Sequence, residues 1–218
     1  MMKKRILIVE DHPLMRKGLA LTLEAEADLE VCGQAASAEE ALSMLDTVQP
    51  DLAIVDISLP GMSGLELIKH LHTWKPDLPV LVISRHDEAL YAERAIRAGA
   101  RGYVMKIEAV DVIVKAVRRV LAGGLYVSEE ISERLLLSMT GHRRTEARTP
   151  VELLSDRELE VFELTGRGLT TREIAERLHL SVKTIESYRT RIKTKLGLRS
   201  AAELMQHAVQ WVENERTR

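Results

Sequence analysis

The stretch L-A-I-V-D-I-S-L-P-G-M-S-G, residues Leu52 to Gly64, decides how the N-terminal half of this chain is read. Four apolar residues without polar alternation run into a carboxylate, Asp56, and the chain then breaks at Pro60-Gly61. An unbroken apolar run of that length, bounded by turn residues, fits a strand buried on both faces. A carboxylate at the end of such a strand costs free energy unless something compensates its charge. The position of Asp56 therefore calls for a partner, and the rest of the sequence indicates which.

On either side of this stretch, short apolar runs alternate with segments of helical periodicity. Strands are expected at Arg5–Val9, Leu29–Ala35, Leu52–Val55, Pro79–Ser84 and Gly102–Met105. Helices are expected at Leu14–Glu26, Ala38–Asp46, Gly64–Thr73, Glu88–Ala98 and Val110–Leu121. This alternation implies right-handed crossovers and a mainly parallel sheet with helices on both faces. After Gly123-Gly124 the pattern changes. A short helix around Glu129–Met139 precedes T-G-H-R-R-T-E-A-R-T-P, which has no apolar periodicity and reads as an exposed linker. Everything beyond Leu153 is helical: Asp156–Gly166, Thr171–Leu178, Val182–Leu196 and Ala201–Glu213. Ser155, Thr170 and Ser181 are the expected N-caps, and Ser155 with Glu158 has capping-box spacing. The domain bounds are thus 1–122, a linker at 123–150, and 151–218.

Composition narrows the function classes. The 218 residues are 45% hydrophobic and 29% charged, ordinary values for a globular protein, and only 3% are aromatic. Cys32 is the sole cysteine, which excludes an internal disulfide and a multi-cysteine metal site and suits a small residue in or beside a strand. No apolar run approaches the roughly 20 residues that span a bilayer, and M-M-K-K-R-I-L-I-V-E is no signal peptide. A cytoplasmic protein with no membrane partner is expected. No G-x-x-x-x-G-K-[ST] loop is present. The net charge of −2 conceals a basic segment: Lys183, Arg189, Arg191, Lys193, Lys195 and Arg199 face a single acid, Glu186. Positive charge is thus concentrated on one short segment, as a local anionic partner would require.

In open parallel sheets, ligands bind beyond the carboxyl ends of the strands. The first strand ends in Glu10-Asp11, the third in Asp56, the fourth in Ser84, and Lys106 follows the fifth. Alone, each residue has an ordinary structural account; together they place three acids, a hydroxyl and an ammonium at one sheet edge. Clustered acids repel one another, and a divalent cation with oxygen ligands, such as Mg2+, relieves that repulsion. Such an ion and a lysine also neutralise phosphoryl oxygens, and an aspartate can be a covalent nucleophile toward phosphorus. Asp56 is accordingly expected to be phosphorylated.

In the C-terminal half, Thr171–Leu178 is a short amphipathic helix with Ile174, Ala175 and Leu178 inward, followed by a tight turn. The next helix has Ile185, Ile192 and Leu196 inward and Lys183, Glu186, Ser187, Thr190, Arg191 and Thr194 outward. Helix, short turn and a helix with a polar, basic outer face describe a helix-turn-helix. A small helical bundle with a solvated basic face fits the same pattern.

The segments V-E-D-H-P-L-M-R-K-G-L, D-I-S-L-P-G-M-S-G, V-I-S-R-H-D-E and G-A-R-G-Y-V-M-K resemble the receiver domain of two-component response regulators. With the C-terminal helices, nearly the whole chain is similar to the NarL/FixJ family, whose DNA-binding domain is LuxR-type. The resemblance implies an α/β receiver, a flavodoxin-like doubly wound sheet of five parallel strands, joined to a small all-α helix-turn-helix domain. It implies phosphotransfer from a sensor histidine kinase to Asp56, and Mg2+ bound by Glu10, Asp11, Asp56 and the backbone carbonyl of Ser58. Ser84 and Lys106 would contact the phosphoryl group, and Tyr103 would be the aromatic that turns inward as Ser84 moves. The helix Val182–Leu196 would enter the major groove of double-stranded DNA. Glu186, Ser187 and Thr190 would face bases, and Lys183, Thr184, Arg191 and Lys195 would approach phosphates. Tyr188 stands where many relatives have His. Leu204, Met205, Ala208 and Val209 would form a dimer contact on DNA, although core packing accounts for the same stripe. An active homodimer on operator half-sites is implied, with RNA polymerase as a further candidate partner. Ser58, Arg85 and His86 border the path to Asp56, and Arg85, where a small residue is common, is expected to alter the lifetime of the phosphorylated form. Glu186 is either a reader of the cytosine amino group or a solvated helix residue.

Two rivals remain. A haloacid-dehalogenase-type phosphohydrolase would need a second Asp where Ser58 stands, and no cap-sized insertion is present, so enzyme chemistry beyond self-catalysed phosphotransfer and autodephosphorylation is not expected. The other rival is a phosphorylation-independent DNA binder whose receiver serves only for dimerisation.

Overall fold

The computed structural model describes residues 2–108, 110–139 and 149–216. Most of the exposed linker expected from the sequence, residues 140–148, lies outside the described residues. The chain divides into two compact units, Met1–Arg143 and Arg144–Arg218.

The first unit runs β1 (Lys4–Val9), α1 (Pro13–Glu24), β2 (Leu29–Ala35), α2 (Ala38–Val48), β3 (Leu52–Val55), α3 (Gly64–Trp74), β4 (Val80–Ser84), α4 (Glu88–Ala98), β5 (Gly102–Met105), α5 (Val110–Leu121) and α6 (Glu129–Met139). All strand pairs are parallel, and the order across the sheet is β2-β1-β3-β4-β5. The order therefore reverses between β1 and β3, which opens a crevice at their carboxyl ends. Ile6, Ile8, Leu52, Ile54, Leu81, Ile83 and Val104 pack with Leu19, Leu23, Ile113, Val117 and Val120 in one core. Each such side chain contributes about 1.5–3 kcal/mol on burial, so the strands are anchored independently of the acids at their ends.

Element ends follow local chemistry. Helix α1 starts at Pro13, one residue earlier than expected, because proline's missing N–H costs nothing at a first helical position. Strand β4 starts at Val80 rather than Pro79, because proline has no N–H to give to the ladder. Ser37 and Ser63 cap α2 and α3 by accepting from the Glu40 and Glu66 amides, and Asp87 caps α4 by accepting from Ala89.

The chain beyond α5 is tied back onto the sheet edge. The Tyr103 amide donates to Tyr126 O (2.8 Å) and the Tyr126 amide donates to Arg101 O (3.0 Å), a parallel bridge opposite Gly102. Helix α6 then packs against α4. The Ser128 amide donates to Glu88 Oε1 (2.9 Å), Arg134 Nη1 donates to Ala89 O (3.0 Å), and Ile131 is buried.

The second unit contains a 3-10 turn at Pro150–Leu153, not anticipated from sequence, then α7 (Asp156–Gly166), α8 (Thr171–Arg177), α9 (Val182–Leu196) and α10 (Ala201–Arg216). Ser155, Thr170 and Ser181 cap α7, α8 and α9, with full capping boxes at Ser155–Glu158 and Thr170–Glu173. Helix α10 crosses α7 so closely that a Cβ on Gly166 would lie 2.2 Å from Ala208 O. Glycine is thus required there by the neighbouring backbone, and Phe162 packs against Trp211 with ring centroids 5.7 Å apart.

Candidate functional site

The carboxyl ends of β1, β3, β4 and β5 bring Glu10, Asp11, Asp56, Ser84 and Lys106 to one crevice. Asp56 and Glu10 are 3% and 1% exposed, so both acids are effectively withdrawn from water. Lys106 Nζ compensates them, lying 2.6 Å from Glu10 Oε2 and 2.8 Å from Asp56 Oδ2. Asp56 Oδ1 is buried and has no hydrogen-bond partner. A buried carboxylate oxygen left unpaired costs free energy, and a bound cation or hydrogen-bond donor at this oxygen would offset that cost.

His12, absent from the sequence expectation, joins the cluster. Its Nδ1 lies 3.0 Å from Glu10 Oε1 and 2.6 Å from Asp11 Oδ1, although the Asp11 oxygen forms no hydrogen bond. The ligand atoms of Glu10, Asp11, His12 and Asp56 all lie within 4.8 Å of one another. Oxygen donors predominate, and two of the carboxylate oxygens are unsatisfied, so the residues fit a hard divalent cation such as Mg2+. The sequence signal for His12 was its place directly after two expected ligands. Arg16 closes the side of the crevice by donating to Glu10 O.

Ser84 is fully buried, and its Oγ accepts from the His86 amide at 3.3 Å. Tyr103 is 2% exposed and its hydroxyl donates to His86 O at 2.8 Å, so the ring already faces inward. Burial pushes the Tyr103 phenol well above its usual range, which keeps the hydroxyl a donor. The His86 ring stacks on Tyr91 with centroids 4.3 Å apart, and its Nε2 lies 2.6 Å from Ser58 Oγ. His86 therefore joins the β3–α3 loop to the β4–α4 loop and holds both Ser84 and Tyr103. Sequence reading placed His86 at the rim but did not reveal this convergence, which depends on through-space partners 17 and 28 residues apart. Arg85 is exposed beside it.

In the second unit, α9 buries Ile185 and Ile192 and exposes Val182, Lys183, Glu186, Ser187, Thr190, Arg191 and Thr194. Ser187 Oγ donates to Lys183 O (3.0 Å), Thr190 Oγ1 to Glu186 O (3.0 Å), and Thr194 Oγ1 to Thr190 O (3.1 Å). Thr184 is turned toward the cap, with its Oγ1 2.7 Å from Ser181 Oγ. The Arg191 guanidinium lies 5.9 Å from the ring centroid of Tyr188, and Arg189 donates to Thr171 Oγ1 at 2.6 Å. Lys195 is committed inward: its Nζ donates to Glu158 Oε2 at 2.6 Å and Leu153 O at 3.2 Å. Its charge serves the domain's own packing before any phosphate.

Burial opposes the charge of Glu158, but the Lys195 ammonium and the Ser155 amide and hydroxyl outweigh it and hold the carboxyl below its usual pKa. The stability from this pair is present above the unfolded carboxyl pKa and fades as pH falls through the lower folded value. Lys195 is 39% exposed, so Lys195→Met is expected to cost only about 1 kcal/mol at neutral pH. It should also move acid unfolding of this unit to higher pH, as followed by fluorescence of Trp211. An unchanged acid midpoint would show that the pair contributes nothing.

The stripe on α10 expected to form a dimer contact is divided by burial within the unit. Leu204 and Ala208 are 1% and 0% exposed because they fill the core under α7, leaving only Met205 and Val209 partly accessible.

Comparison with known proteins agrees with both halves. Residues 6–118 match the family "Response regulator receiver domain", and residues 152–208 match "Bacterial regulatory proteins, luxR family". The transcriptional activator protein ExaE of Pseudomonas putida is 40% identical, over 94% of this chain and 95% of that protein. The oxygen regulatory protein NreC of Staphylococcus carnosus is 35% identical, over 94% and 96%. Among solved structures, RcsB of Salmonella enterica serovar Typhimurium, bound to promoter rprA in the presence of phosphomimetic BeF3-, superposes with a TM-score of 0.67 at 25% identity. That match covers 95% of this chain and 98% of that one.

Proposed function

The chain belongs to the NarL/FixJ-type response regulators, two-component transcription factors that join a receiver to a LuxR-type DNA-binding domain, and on that premise we propose that phosphorylation of Asp56 by a sensor histidine kinase, with Mg2+, controls its dimerisation and operator binding. The observation that carries this reading is the unpartnered, buried Asp56 Oδ1 beside Lys106. In the transfer, a carboxylate oxygen of Asp56 attacks phosphorus. The new O–P bond forms as the donor's P–N bond breaks, and the electron pair passes to the imidazole nitrogen, which takes a proton from solvent. Glu10, Asp11, Asp56 and the Ser58 carbonyl would hold the ion. When bound, Mg2+ neutralises carboxylate and phosphoryl oxygens. Lys106 turns its ammonium to a phosphoryl oxygen, and the Ser84 hydroxyl leaves the His86 amide to donate to another.

That exchange loosens His86, and with it the Tyr103 hydroxyl. Because the Tyr103 amide is bonded to Tyr126 O, the change reaches Tyr126, beyond α5, through two hydrogen bonds. The surface of α4 and β5, or that of α1 and α5, then pairs two copies. RcsB has been seen on promoter DNA with a phosphomimetic, and by analogy the active form here is a dimer whose α9 helices read half-sites about 10 bp apart. Binding weakens with salt, each phosphate contact adding about −0.9 to the log–log slope. The protein acts in the cytoplasm, and RNA polymerase is a natural further partner. Residues 1–122 carry the phosphoacceptor and 151–218 the reader; of the 123–150 connection, the part through α6 packs on the receiver unit.

Intact mass after incubation with acetyl phosphate and Mg2+ tests the reading. Wild type should gain one phosphoryl group and Asp56→Asn none; a gain on Asp56→Asn would place the chemistry elsewhere. On the same phosphorylated sample, Arg85→Ala is expected to change the dephosphorylation rate several-fold. An equal rate would remove Arg85 from the account.

A further inference from the structure

We infer that Glu186 reads cytosine in the operator half-site, which rests on the proposed insertion of α9 into the major groove. Glu186 is exposed on the outward face of α9, between Lys183 one turn before it and Thr190 one turn after it. An acid in a basic helix is ordinarily neutralised by a neighbour, but here Glu186 makes no ion pair among the described residues. Arg189 is directed to Thr171 Oγ1 and Lys195 to Glu158, Arg191 lies beside the Tyr188 ring, and Lys183, one turn before, forms no ion pair with it. The carboxylate is left projecting from the middle of the surface that meets DNA.

The hydroxyls around it add to the same property. Ser187, Thr190 and Thr194 all direct their protons back to helix carbonyls at 3.0, 3.0 and 3.1 Å. Their oxygens keep lone pairs and have no proton left to offer, and with Glu186 they make the centre of this exposed helix face acceptor-rich. In the major groove, only the amino groups of cytosine and adenine are donors. Adenine presents its N7 lone pair beside its amino group, which repels a carboxylate and suits an amide such as Asn or Gln. Cytosine presents its amino group beside a C–H edge, which does not. The carboxylate thus selects cytosine, and its charge repels phosphates wherever that amino group is absent.

Selection of full-length, acetyl-phosphate-treated protein on a pool of double-stranded DNA with randomised positions tests this, with Glu186→Gln in parallel. Glu186 is exposed and uncapped, so the substitution leaves the fold intact. Wild type should enrich a motif with one fixed cytosine per half-site. Glu186→Gln should lose preference at that position by about tenfold and keep the rest of the motif, while binding random DNA more tightly. Identical motifs from the two proteins would overturn the assignment and leave Glu186 a solvated residue. If neither protein enriched any motif, the groove-reading premise would fail, and the inference with it.

Discussion

A chain carrying Lys106→Met is expected to lose about 3–5 kcal/mol of receiver stability in EDTA and to recover most of it when Mg2+ is added. Lys106 Nζ is the cation between Glu10 Oε2 (2.6 Å) and Asp56 Oδ2 (2.8 Å), and all three side chains are at most 8% exposed. Without it, two buried carboxylates share a crevice with no buried ammonium between them, and the core strands that carry them cannot move apart. Removing one partner of a buried pair costs more than the pair contributed, because the other charge stays desolvated. A divalent ion that binds the folded receiver and not the unfolded chain restores stability by mass action. Urea unfolding followed by circular dichroism, with and without Mg2+, measures both effects. Equal stability of the variant and wild type in EDTA would mean that Lys106 does not balance the acids. A loss that Mg2+ leaves untouched would mean that the crevice does not hold the ion.

Gly64→Ala is expected to damage fold and site together. A Cβ at Gly64 would lie 2.0 Å from the carbonyl oxygen of Asp56 and 2.8 Å from Ile57 Cα. The Gly64 amide donates to Ile57 O at 2.9 Å, so the first turn of α3 is bonded to the loop it would have to push away. The obstacle is backbone on both sides and cannot be relieved by a rotamer change. The cost is about 2 kcal/mol or more by the range for overpacking, and the displaced segment is the one that carries Asp56. Denaturant midpoints and phosphorylation by acetyl phosphate should fall together. A stable Gly64→Ala chain that is phosphorylated at the wild-type rate would show that the loop yields freely.

The strands were legible because β1, β3 and β4 are apolar without alternation and end in turn signals. Helix ends moved by a residue or more where proline or continuing helix formers governed, as at Pro13 and beyond Glu213. The acids, Ser84 and Lys106 were legible from position, since a parallel sheet gathers its carboxyl ends by topology alone. What the sequence withheld was contact between distant loops. The Ser58–His86 bridge, the Tyr126 bridge to β5 and the inward commitment of Lys195 depend on approach in space, and none has a local signature. Leu204 and Ala208 show the converse: one apolar stripe reads equally as core or as dimer face until a neighbouring helix occupies it.

In the proposed mechanism, chemistry at Asp56 governs DNA binding. The most direct measurement is the affinity of the full chain for its selected DNA before and after phosphorylation, with Asp56→Asn beside it. Phosphorylated wild type should bind about tenfold or more tightly, as a dimer, while Asp56→Asn stays at the unphosphorylated level under both conditions. Equal affinity in every sample would contradict the account and leave a constitutive DNA binder whose receiver serves only to pair two copies.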